Sequence, residues 1–263
     1  MKIGIFDSGL GGLVISKSFK ELMPEYDYVY YGDTKNLPYG DKDSSHILHY
    51  TIDAVKFLIS QKCGLIIIAC NTATAIALRY IQQRFIPSYA PYVKVLGVVI
   101  PTVEEAIQSN THHVGVLATE ATVNSHIYKA ELQKINPEIK ITEIAAPKLV
   151  PAIEGDDFDK AKKDIINYFN QFSDIDSLIL GCTHFPLLKT VLRQNIPGKI
   201  QVISQDELMG KKLKDYLQRH IDIDICLSRN SELKVWVSSI NGYYSNVANR
   251  LFPGVVIKEV ENA

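Results

Sequence analysis

Short apolar segments alternate with amphipathic segments along the chain, and this alternation restricts the fold more than any other feature. The apolar segments are rich in β-branched residues and show no polar alternation, which is typical of parallel strands buried on both faces. The predicted strands are Lys2–Phe6, Tyr28–Tyr31, Leu65–Ala69, Lys94–Val98, Val114–Leu117, Lys140–Ile144, Leu178–Leu180 and Gln201–Ile203. The predicted helices between and after them include Ser44–Ser60, Thr72–Phe85, Thr122–Ile135, Phe158–Phe172 and Asp206–His220. The pattern predicts an α/β fold with mostly parallel sheets.

Three pairs of similar segments indicate that the chain contains two related halves. The pairs are Gly4–Phe6 with Gly115–Leu117, Leu37–Pro38 with Val150–Pro151, and Ala69–Thr72 with Gly181–His184, at offsets of 111, 113 and 112 residues. Because the offsets nearly agree and the order is kept, we predict two pseudo-symmetric α/β domains with an active site in the cleft between them. The segment after Lys211 fits neither half and must pack against one of them.

The composition excludes several classes of protein. Lys and Arg number 28 and Asp and Glu number 29 among 263 residues, so there is no positive surplus for nucleic acid or for an anionic membrane. The longest apolar run, Leu65–Cys70, is far shorter than the ~20 residues of a membrane span. Four cysteines do not form a disulfide framework. We therefore expect a cytoplasmic protein with free thiols that binds neither nucleic acid nor a membrane.

Two of the cysteines, Cys70 and Cys182, occupy equivalent positions in the two halves. Each follows an apolar strand and precedes a predicted helix, and open α/β sheets bind ligands at the carboxyl ends of their strands. The N–H groups of a following helix favour the thiolate, so we expect a lowered cysteine pKa there. The alternative is that each thiol only fills space in the core. We assign this packing role to Cys63 and Cys226, which lack the same setting.

Two reactive thiols at matching points predict a site between the halves with one thiol on each side. Removing a proton from one face of a carbon atom and returning one to the other face inverts a stereocentre, so the arrangement favours racemisation or epimerisation. A redox pair would instead need its two sulfurs at bonding distance. A metal site is disfavoured because no cysteine has a second ligand at zinc-finger spacing, and His46 and His49 are typical of a solvated helix face.

Other candidate residues lie at the ends of predicted strands or in nearby loops. The segment Asp7–Gly12 follows the first strand, and its glycines can present backbone N–H groups to an anion, although it does not match a dinucleotide-binding fingerprint. Asp7 either orients a neighbouring group or caps a helix. Tyr39 and Gly40 either hold a carboxylate or form a plain turn. His184, two residues after the second cysteine of the pair, is placed to hold a thiol or a substrate carboxyl group.

Several gap-free blocks between about Lys2 and Leu192 are similar to the bacterial glutamate racemases. The blocks are Asp7–Gly12, Pro38–Gly40, Ala69–Ala75, Gly115–Thr119, Leu149–Pro151 and Gly181–Leu188, together with Thr122, Ser125, Tyr128 and Glu154. The wider aspartate/glutamate racemase superfamily shares the paired cysteines. The blocks that begin at Asp7 and at Cys182 favour the glutamate branch.

The resemblance implies an isomerase that interconverts L- and D-glutamate without a cofactor or a metal and supplies D-glutamate for peptidoglycan synthesis. It implies that Cys70 is the base for D-glutamate and Cys182 the base for L-glutamate. Asp7 would assist Cys70, and His184 with Glu154 would assist Cys182. The residues implied to bind glutamate are Asp7, Ser8, Pro38, Tyr39, Gly40, Asn71, Thr72, Thr119, Thr183 and His184. The resemblance also implies a homodimer.

The resemblance further implies that the C-terminal segment rejoins the first half. The first domain would then be discontinuous, with residues 1–97 plus 209–263, and the second domain would contain residues 98–208. Two segments depart from the family pattern: Ser204-Gln205 replaces an Asp-Ser or Asp-Pro pair, and Val237–Ser239 replaces a Thr-Ser-Gly stretch. We expect neither segment to contact the site residues.

The sequence leaves other functions open beside glutamate racemisation. A racemase of the same superfamily that acts on aspartate or a related acid has the same paired thiols. A non-catalytic protein that binds dicarboxylates can have the same fold, since a fold does not dictate activity. Such a binding protein has no need of two thiols, so both cysteines together with Asp7 and His184 favour catalysis. A thiol-redox protein is a more distant alternative.

Overall fold

The computed structural model describes residues 1–109, 111–240 and 242–260, which form two sheets surrounded by helices. The strands are β1 (Lys2–Asp7), β2 (Tyr28–Gly32), β3 (Cys63–Ile68), β4 (Lys94–Gly97), β5 (His113–Ala118), β6 (Lys140–Ala145), β7 (Ser177–Gly181), β8 (Gln201–Ile203), β9 (Leu233–Val237) and β10 (Ile257–Glu259). The helices are α1 (Gly11–Leu22), α2 (Ser44–Ser60), α3 (Asn71–Tyr80), α4 (Ile86–Tyr89), α5 (Val99–Gln108), α6 (Glu120–Asn124), α7 (Ile127–Ile135), α8 (Leu149–Glu154), α9 (Phe158–Phe169), α10 (Lys189–Asn195), α11 (Gln205–Arg219), α12 (Ile221–Asp224) and α13 (Gly242–Leu251).

Four strands of the larger sheet have the same order as the four strands of the smaller sheet. In the described residues, the larger sheet has six strands in the order β10–β9–β2–β1–β3–β4, and the smaller has four in the order β6–β5–β7–β8. Every strand pairing within these ranges is parallel. The order β2–β1–β3–β4 in the first sheet matches β6–β5–β7–β8 in the second. The prediction of an α/β fold with two similar halves and parallel sheets is therefore confirmed.

One apolar core joins the two sheets. Ile5 of β1 and Val116 of β5 belong to the same buried cluster as Val103 of α5 and Leu213 of α11. These side chains are 0–3% exposed, so the two helices pack between the sheets and orient one half against the other. None of the helices in the described ranges is both long enough and apolar enough to cross a membrane.

The C-terminal segment adds β9 and β10 to the larger sheet beside β2. These two strands were not predicted, because both contain exposed charged side chains, Lys234 in β9 and Lys258 and Glu259 in β10, and so lack the pattern of a buried parallel strand. Helix α11 packs along α1. The bounds of the two domains, 1–97 plus 209–263 and 98–208, stay a prediction.

The prediction of a single helix over Thr122–Ile135 is wrong. Helix α6 ends at Asn124 and α7 begins at Ile127. His126, between them, has a left-handed backbone with φ of 53°, which interrupts the helical hydrogen bonds. The break turns α7 so that Tyr128 is completely buried beside the site described below.

Candidate active site

The carboxyl ends of β1, β3, β5 and β7 surround one small cavity. In each sheet the chain continues to opposite sides of the central strand, β1 or β5, and the crevice at such a switch point is the usual ligand site of a parallel sheet. The cavity is lined by Ser8, Tyr39, Gly40, Cys70, Asn71, Thr72, Thr119, Val150, Cys182, Thr183 and His184. Its volume of about 10 Å³ is at the lower limit for a single water molecule. A molecule larger than water therefore does not fit the cavity in this conformation.

Cys70 lies at the N-terminus of α3, where its sulfur accepts a hydrogen bond from Ala73 N at 3.4 Å. The sulfur also lies 3.4 Å from Ser8 Oγ. Burial and the nearby Asp7 carboxylate raise the pKa of the Cys70 thiol to about 12, against the opposing effect of the hydrogen bonds that Cys70 forms with Ser8 and with the backbone of Ala73. The predicted lowering of this pKa is wrong, because burial and the carboxylate outweigh the helix N-terminus.

Asp7 connects the two halves. Its Oδ2 accepts hydrogen bonds from Gly9 N and Gly12 N, so it holds the loop and the first turn of α1 together. Its Oδ1 accepts a hydrogen bond from Thr183 Oγ1 at 3.1 Å, across the cleft. Complete burial raises the pKa of Asp7, and the charge of His184 opposes this effect. Asp7 therefore both caps a helix turn and contacts the second half, which combines the two roles that the sequence left open.

Cys182 has a different environment, although it follows β7 as Cys70 follows β3. No α-helix begins directly after it, because a 3-10 turn starts three residues later at Phe185. The prediction of an immediate helix is wrong here. Instead, His184 Nδ1 lies 3.7 Å from the sulfur, and His184 Nε2 lies 2.5 Å from Glu154 Oε1. The thiol, the imidazole and the carboxylate form a linear chain of contacts.

His184 carries a positive charge in this arrangement. Burial disfavours the protonated imidazole, but the hydrogen bonds to Cys182 and Glu154 outweigh burial and raise the pKa of His184 well above its ordinary value. Both ring nitrogens of the imidazolium are donors, one towards the sulfur and one towards the carboxylate.

Two glycines allow the first loop to approach the second half closely. A Cβ atom on Gly11 would lie 2.4 Å from Thr183 Oγ1, and one on Gly9 would lie 2.6 Å from Glu154 Oε1. Both distances are shorter than Cβ contacts in proteins, so a side chain at Gly11 would clash with the backbone of Thr183, and one at Gly9 would displace the Glu154 carboxylate. Leu10 N points to the same Glu154 oxygen at 3.4 Å.

Tyr39 is held by residues that sequence reasoning missed. Its hydroxyl donates to Asp33 Oδ2 at 2.6 Å, and Ser238 Oγ donates to Asp33 Oδ1 at 2.8 Å. Ser238 thus reaches the site loop through Asp33, although it contacts no lining residue by a hydrogen bond of its own in the described structure. Pro38 precedes Tyr39, is half-buried and does not line the cavity.

Three threonine hydroxyls also join the halves. Thr72 Oγ1 lies 2.8 Å from Thr119 Oγ1 and 3.2 Å from Thr122 Oγ1. Next to them, the completely buried Gln205 forms two hydrogen bonds with Asn71. The expectation that Ser204-Gln205 contacts no site residue is therefore wrong.

The structure brings most of the candidate residues to the cavity wall. Asp7 and Glu154 stand behind it and contact the lining residues Thr183 and His184. Val150 lines the cavity but was not predicted, although it belongs to a block that resembles the family. Within the described ranges, no group of three or more His, Cys, Asp or Glu side chains is arranged to hold a metal ion.

Two parallel α/β sheets that each direct one cysteine into a shared polar cavity define an enzyme that transfers protons to and from a carbon atom. The chain belongs to the Asp/Glu/Hydantoin racemase family, whose sequence profile matches residues 17–206. This range contains both cysteines of the cavity, and Asp7 and Ser8 precede it.

Several individual glutamate racemases are similar to this protein over most of the chain. The glutamate racemase of Hydrogenobaculum sp. is 40% identical over 216 residues, which are 80% of each chain. The crystal structure of a glutamate racemase isoform from Bacillus anthracis matches 99% of this chain and 97% of its own, with a TM-score of 0.88 and 27% identity. A Francisella tularensis glutamate racemase, crystallised with D-glutamate, has a TM-score of 0.86, 31% identity and the same coverage.

Proposed function

We propose that the protein is an isomerase that interconverts L- and D-glutamate with two cysteine bases and without a cofactor. The observation that carries this proposal is the pair of buried cysteines, Cys70 and Cys182, which reach one cavity from equivalent strand ends. The similarity to glutamate racemases over four fifths of the chain supports glutamate as the substrate.

The reaction needs one thiolate and one thiol at the same time. The thiolate removes the α-proton from one face of glutamate, and the thiol gives a proton to the opposite face. The raised pKa of Cys70 keeps this thiol protonated, so we assign the first proton donor to Cys70 and the first base to Cys182, whose sulfur lies 3.7 Å from His184 Nδ1. The resting enzyme is therefore ready for the enantiomer whose α-hydrogen faces Cys182, which the resemblance gives as L-glutamate. The roles of the two sulfurs are exchanged in the reverse direction.

The α-hydrogen of an amino acid is very weakly acidic, and these residues offer no electron sink. Hydrogen-bond donors aimed at the carboxylate must therefore stabilise it as it gains charge. The groups that we propose for binding are Asp7, Ser8, Tyr39, Gly40, Asn71, Thr72, Thr119, Thr183 and His184, with Pro38 placing Tyr39. The side chains that line the cavity are nearly all inaccessible to solvent, which strengthens every such interaction.

Asp7 and Glu154 act behind the lining residues in this proposal. Asp7 holds Thr183 across the cleft and stands near Cys70, while Glu154 holds His184 against Cys182. The homodimer, the cytoplasmic location and the supply of D-glutamate to peptidoglycan synthesis are further parts of the proposal, and the resemblance to the family supports them.

The test is circular dichroism of the purified protein with L-glutamate in deuterated water without added cofactor, followed by mass spectrometry. We expect the optical signal to decay to zero while one deuterium enters at the α-carbon. Decay with aspartate but not with glutamate would move the protein to the aspartate branch. No decay with either amino acid would contradict the proposal and favour a binding protein.

A further inference from the structure

Gln205 is a buried amide that the mechanism above does not use. It is the first residue of α11, is 0% exposed, and does not line the cavity. Its side chain lies between Asn71 at the start of α3, Thr102 of α5 and Tyr128 of α7. It thus connects a cavity residue to two helices of the second half.

The four side chains form one closed hydrogen-bond network. Asn71 Nδ2 donates to Gln205 Oε1 at 2.9 Å, and Gln205 Nε2 donates to Asn71 Oδ1 at 2.8 Å. Gln205 Nε2 also lies 3.2 Å from Thr102 Oγ1 and 3.3 Å from the Tyr128 oxygen. The Tyr128 hydroxyl in turn donates to Asn71 Oδ1 at 2.6 Å.

Thr102 determines the direction in which both amides point. Its hydroxyl donates to the backbone oxygen of Val98 at 2.7 Å, and a hydroxyl has only one hydrogen to donate. The Thr102 oxygen must therefore accept, so the atom of Gln205 that faces it must be the nitrogen. The atom of Asn71 beside that nitrogen must then be the oxygen, which leaves the nitrogen of Asn71 against Gln205 Oε1.

The network leaves Asn71 with one kind of group for a ligand. Its Oδ1 accepts from both Tyr128 and Gln205, which occupies both lone pairs. Its Nδ2 has two hydrogens, and Gln205 takes one of them. Because Asn71 lines the cavity, the remaining N–H group is a donor that suits a carboxylate and disfavours an ammonium group.

We propose that Gln205 and Thr102 are positioning residues that hold the Asn71 amide with an N–H group available to a carboxylate of the substrate. The inference rests on the proposed function, since it specifies how one wall of that site recognises glutamate. Without the Thr102 oxygen, the side-chain amides of Asn71 and Gln205 can both rotate so that oxygen and nitrogen exchange places. Asn71 then presents a carbonyl lone pair to the cavity, and this lone pair repels a carboxylate.

The first experiment compares Thr102→Val with Thr102→Ser. Valine has the shape of threonine but no acceptor, whereas serine keeps it. We expect Thr102→Val to lower kcat/KM for L-glutamate about tenfold and to weaken D-glutamate binding in calorimetry by a similar factor, since a hydrogen bond to a charged group is lost. Thr102→Ser restores both values. Unchanged kcat/KM and affinity in folded Thr102→Val would overturn the proposal.

The second experiment asks whether Gln205 acts through Asn71. Gln205→Glu, Asn71→Ala and the double variant are compared in kcat, KM and melting temperature. We expect Gln205→Glu alone to lower kcat/KM at least tenfold, and to have less than about a twofold further effect in the Asn71→Ala background. An equal loss in both backgrounds would show a merely structural role and contradict the proposal.

The wild-type protein separates this inference from the proposed function. If it neither racemises nor binds glutamate, the proposed function fails and the inference fails with it. If it racemises glutamate and Thr102→Val and Gln205→Glu both match it, only the inference fails.

Discussion

The two cysteine sites follow equivalent strands, β3 and β7, in two sheets that share the order of four strands, yet the surroundings of the two cysteines differ. Cys70 lies at a helix N-terminus near a carboxylate, and its pKa is raised to about 12. Cys182 has no adjacent α-helix and lies beside the protonated His184, which Glu154 holds in place. The internal repeat therefore accounts for the positions of the two sulfurs, and the neighbouring side chains give each sulfur different contacts.

This asymmetry has a thermodynamic limit. The two enantiomers of glutamate have equal free energies, so kcat/KM must be the same in both directions whatever the environments of the thiols. A difference between the two sites can appear only in kcat and KM taken separately, and in the response of each enantiomer to a change at one sulfur. The predictions below use that distinction.

The largest effect is expected from removal of either sulfur. Cys70→Ser and Cys182→Ser lose racemisation at least about 10³-fold, because a hydroxyl is a far weaker base than a thiolate. Deuterium exchange at the α-carbon distinguishes the two variants: Cys70→Ser keeps residual exchange with the enantiomer that faces Cys182, and Cys182→Ser keeps it with the other.

The matched controls are Cys63→Ser and Cys226→Ser, which change thiols outside the cavity. Both variants are expected to keep wild-type kcat/KM in the same racemase assay. Full racemisation by Cys182→Ser would disprove the two-base mechanism.

The sequence was sufficient to predict β1 to β8 and the positions of the two sulfurs, but not β9, β10 or the charges around the sulfurs. Buried parallel strands such as β3 and β7 have a strong local signature, and the equivalence of Cys70 and Cys182 follows from it. The pKa of Cys70 depends on burial and on Asp7, which is distant in sequence. Local patterns contain no information on such contacts, so the expected pKa had the wrong direction.

The same reason explains the residues that were missed. Asp33 accepts the Tyr39 hydroxyl on one oxygen and, on the other, the hydroxyl of Ser238, which lies about 200 residues later in the chain. Gln205 reaches Asn71 only through the packing of α11 between the sheets. No sequence pattern distinguishes Asp33 or Gln205 from other polar residues, and only their burial in the fold indicates a role.

The second prediction tests the difference between the two cysteine sites through the protonation of His184. Activity that requires its protonated form is present below its raised pKa and is lost as the pH rises through that value. Because Glu154 contributes to raising this pKa, Glu154→Gln moves the alkaline loss of kcat/KM to lower pH, with about a tenfold decrease above neutral pH. The measurement is kcat/KM across neutral and alkaline pH.

Glu143→Gln is the matched control for Glu154→Gln. Glu143 pairs with His126 at 3.1 Å outside the cavity; its own side chain is 9% exposed and that of His126 is 67% exposed. Its substitution is expected to leave the pH profile unchanged. A profile of Glu154→Gln that coincides with the wild type would show that the carboxylate does not influence the protonation of His184.

A third prediction concerns the tail, the C-terminal segment that adds β9 and β10 to the first sheet and has no counterpart in the second. Asp33→Asn weakens the charged hydrogen bond that holds Tyr39 and is expected to raise KM for glutamate about fivefold. Ser239→Ala is the control, because Ser239 binds Thr34 through its backbone N–H and carbonyl groups, which the variant keeps. Equal KM values for the two variants would show that the hydrogen bond between Asp33 and Tyr39 does not contribute to glutamate binding.

The smallest effect on activity is expected at Asp27, where the tail is fastened to the first sheet. Burial opposes its charge, but hydrogen bonds from Ser228, Glu232 and Asn230 lower the pKa of Asp27 from 3.8 to about 2. The charged form therefore stabilises the fold by about 2 kcal/mol above pH 4, and this contribution is lost as the pH falls from about 4 to about 2. Asp27→Asn should remove it without changing kcat/KM at neutral pH.

Urea unfolding at several pH values measures this contribution, with Asp159→Asn as the control on the second half. Asp159 is almost completely exposed and pairs with Lys162, and such a surface pair contributes little. If Asp27→Asn loses stability only above about pH 4, the tail stabilises the first half through this carboxylate. If its loss is equal at all pH values, the amide disturbs packing instead, and the acid response of the first half has another origin.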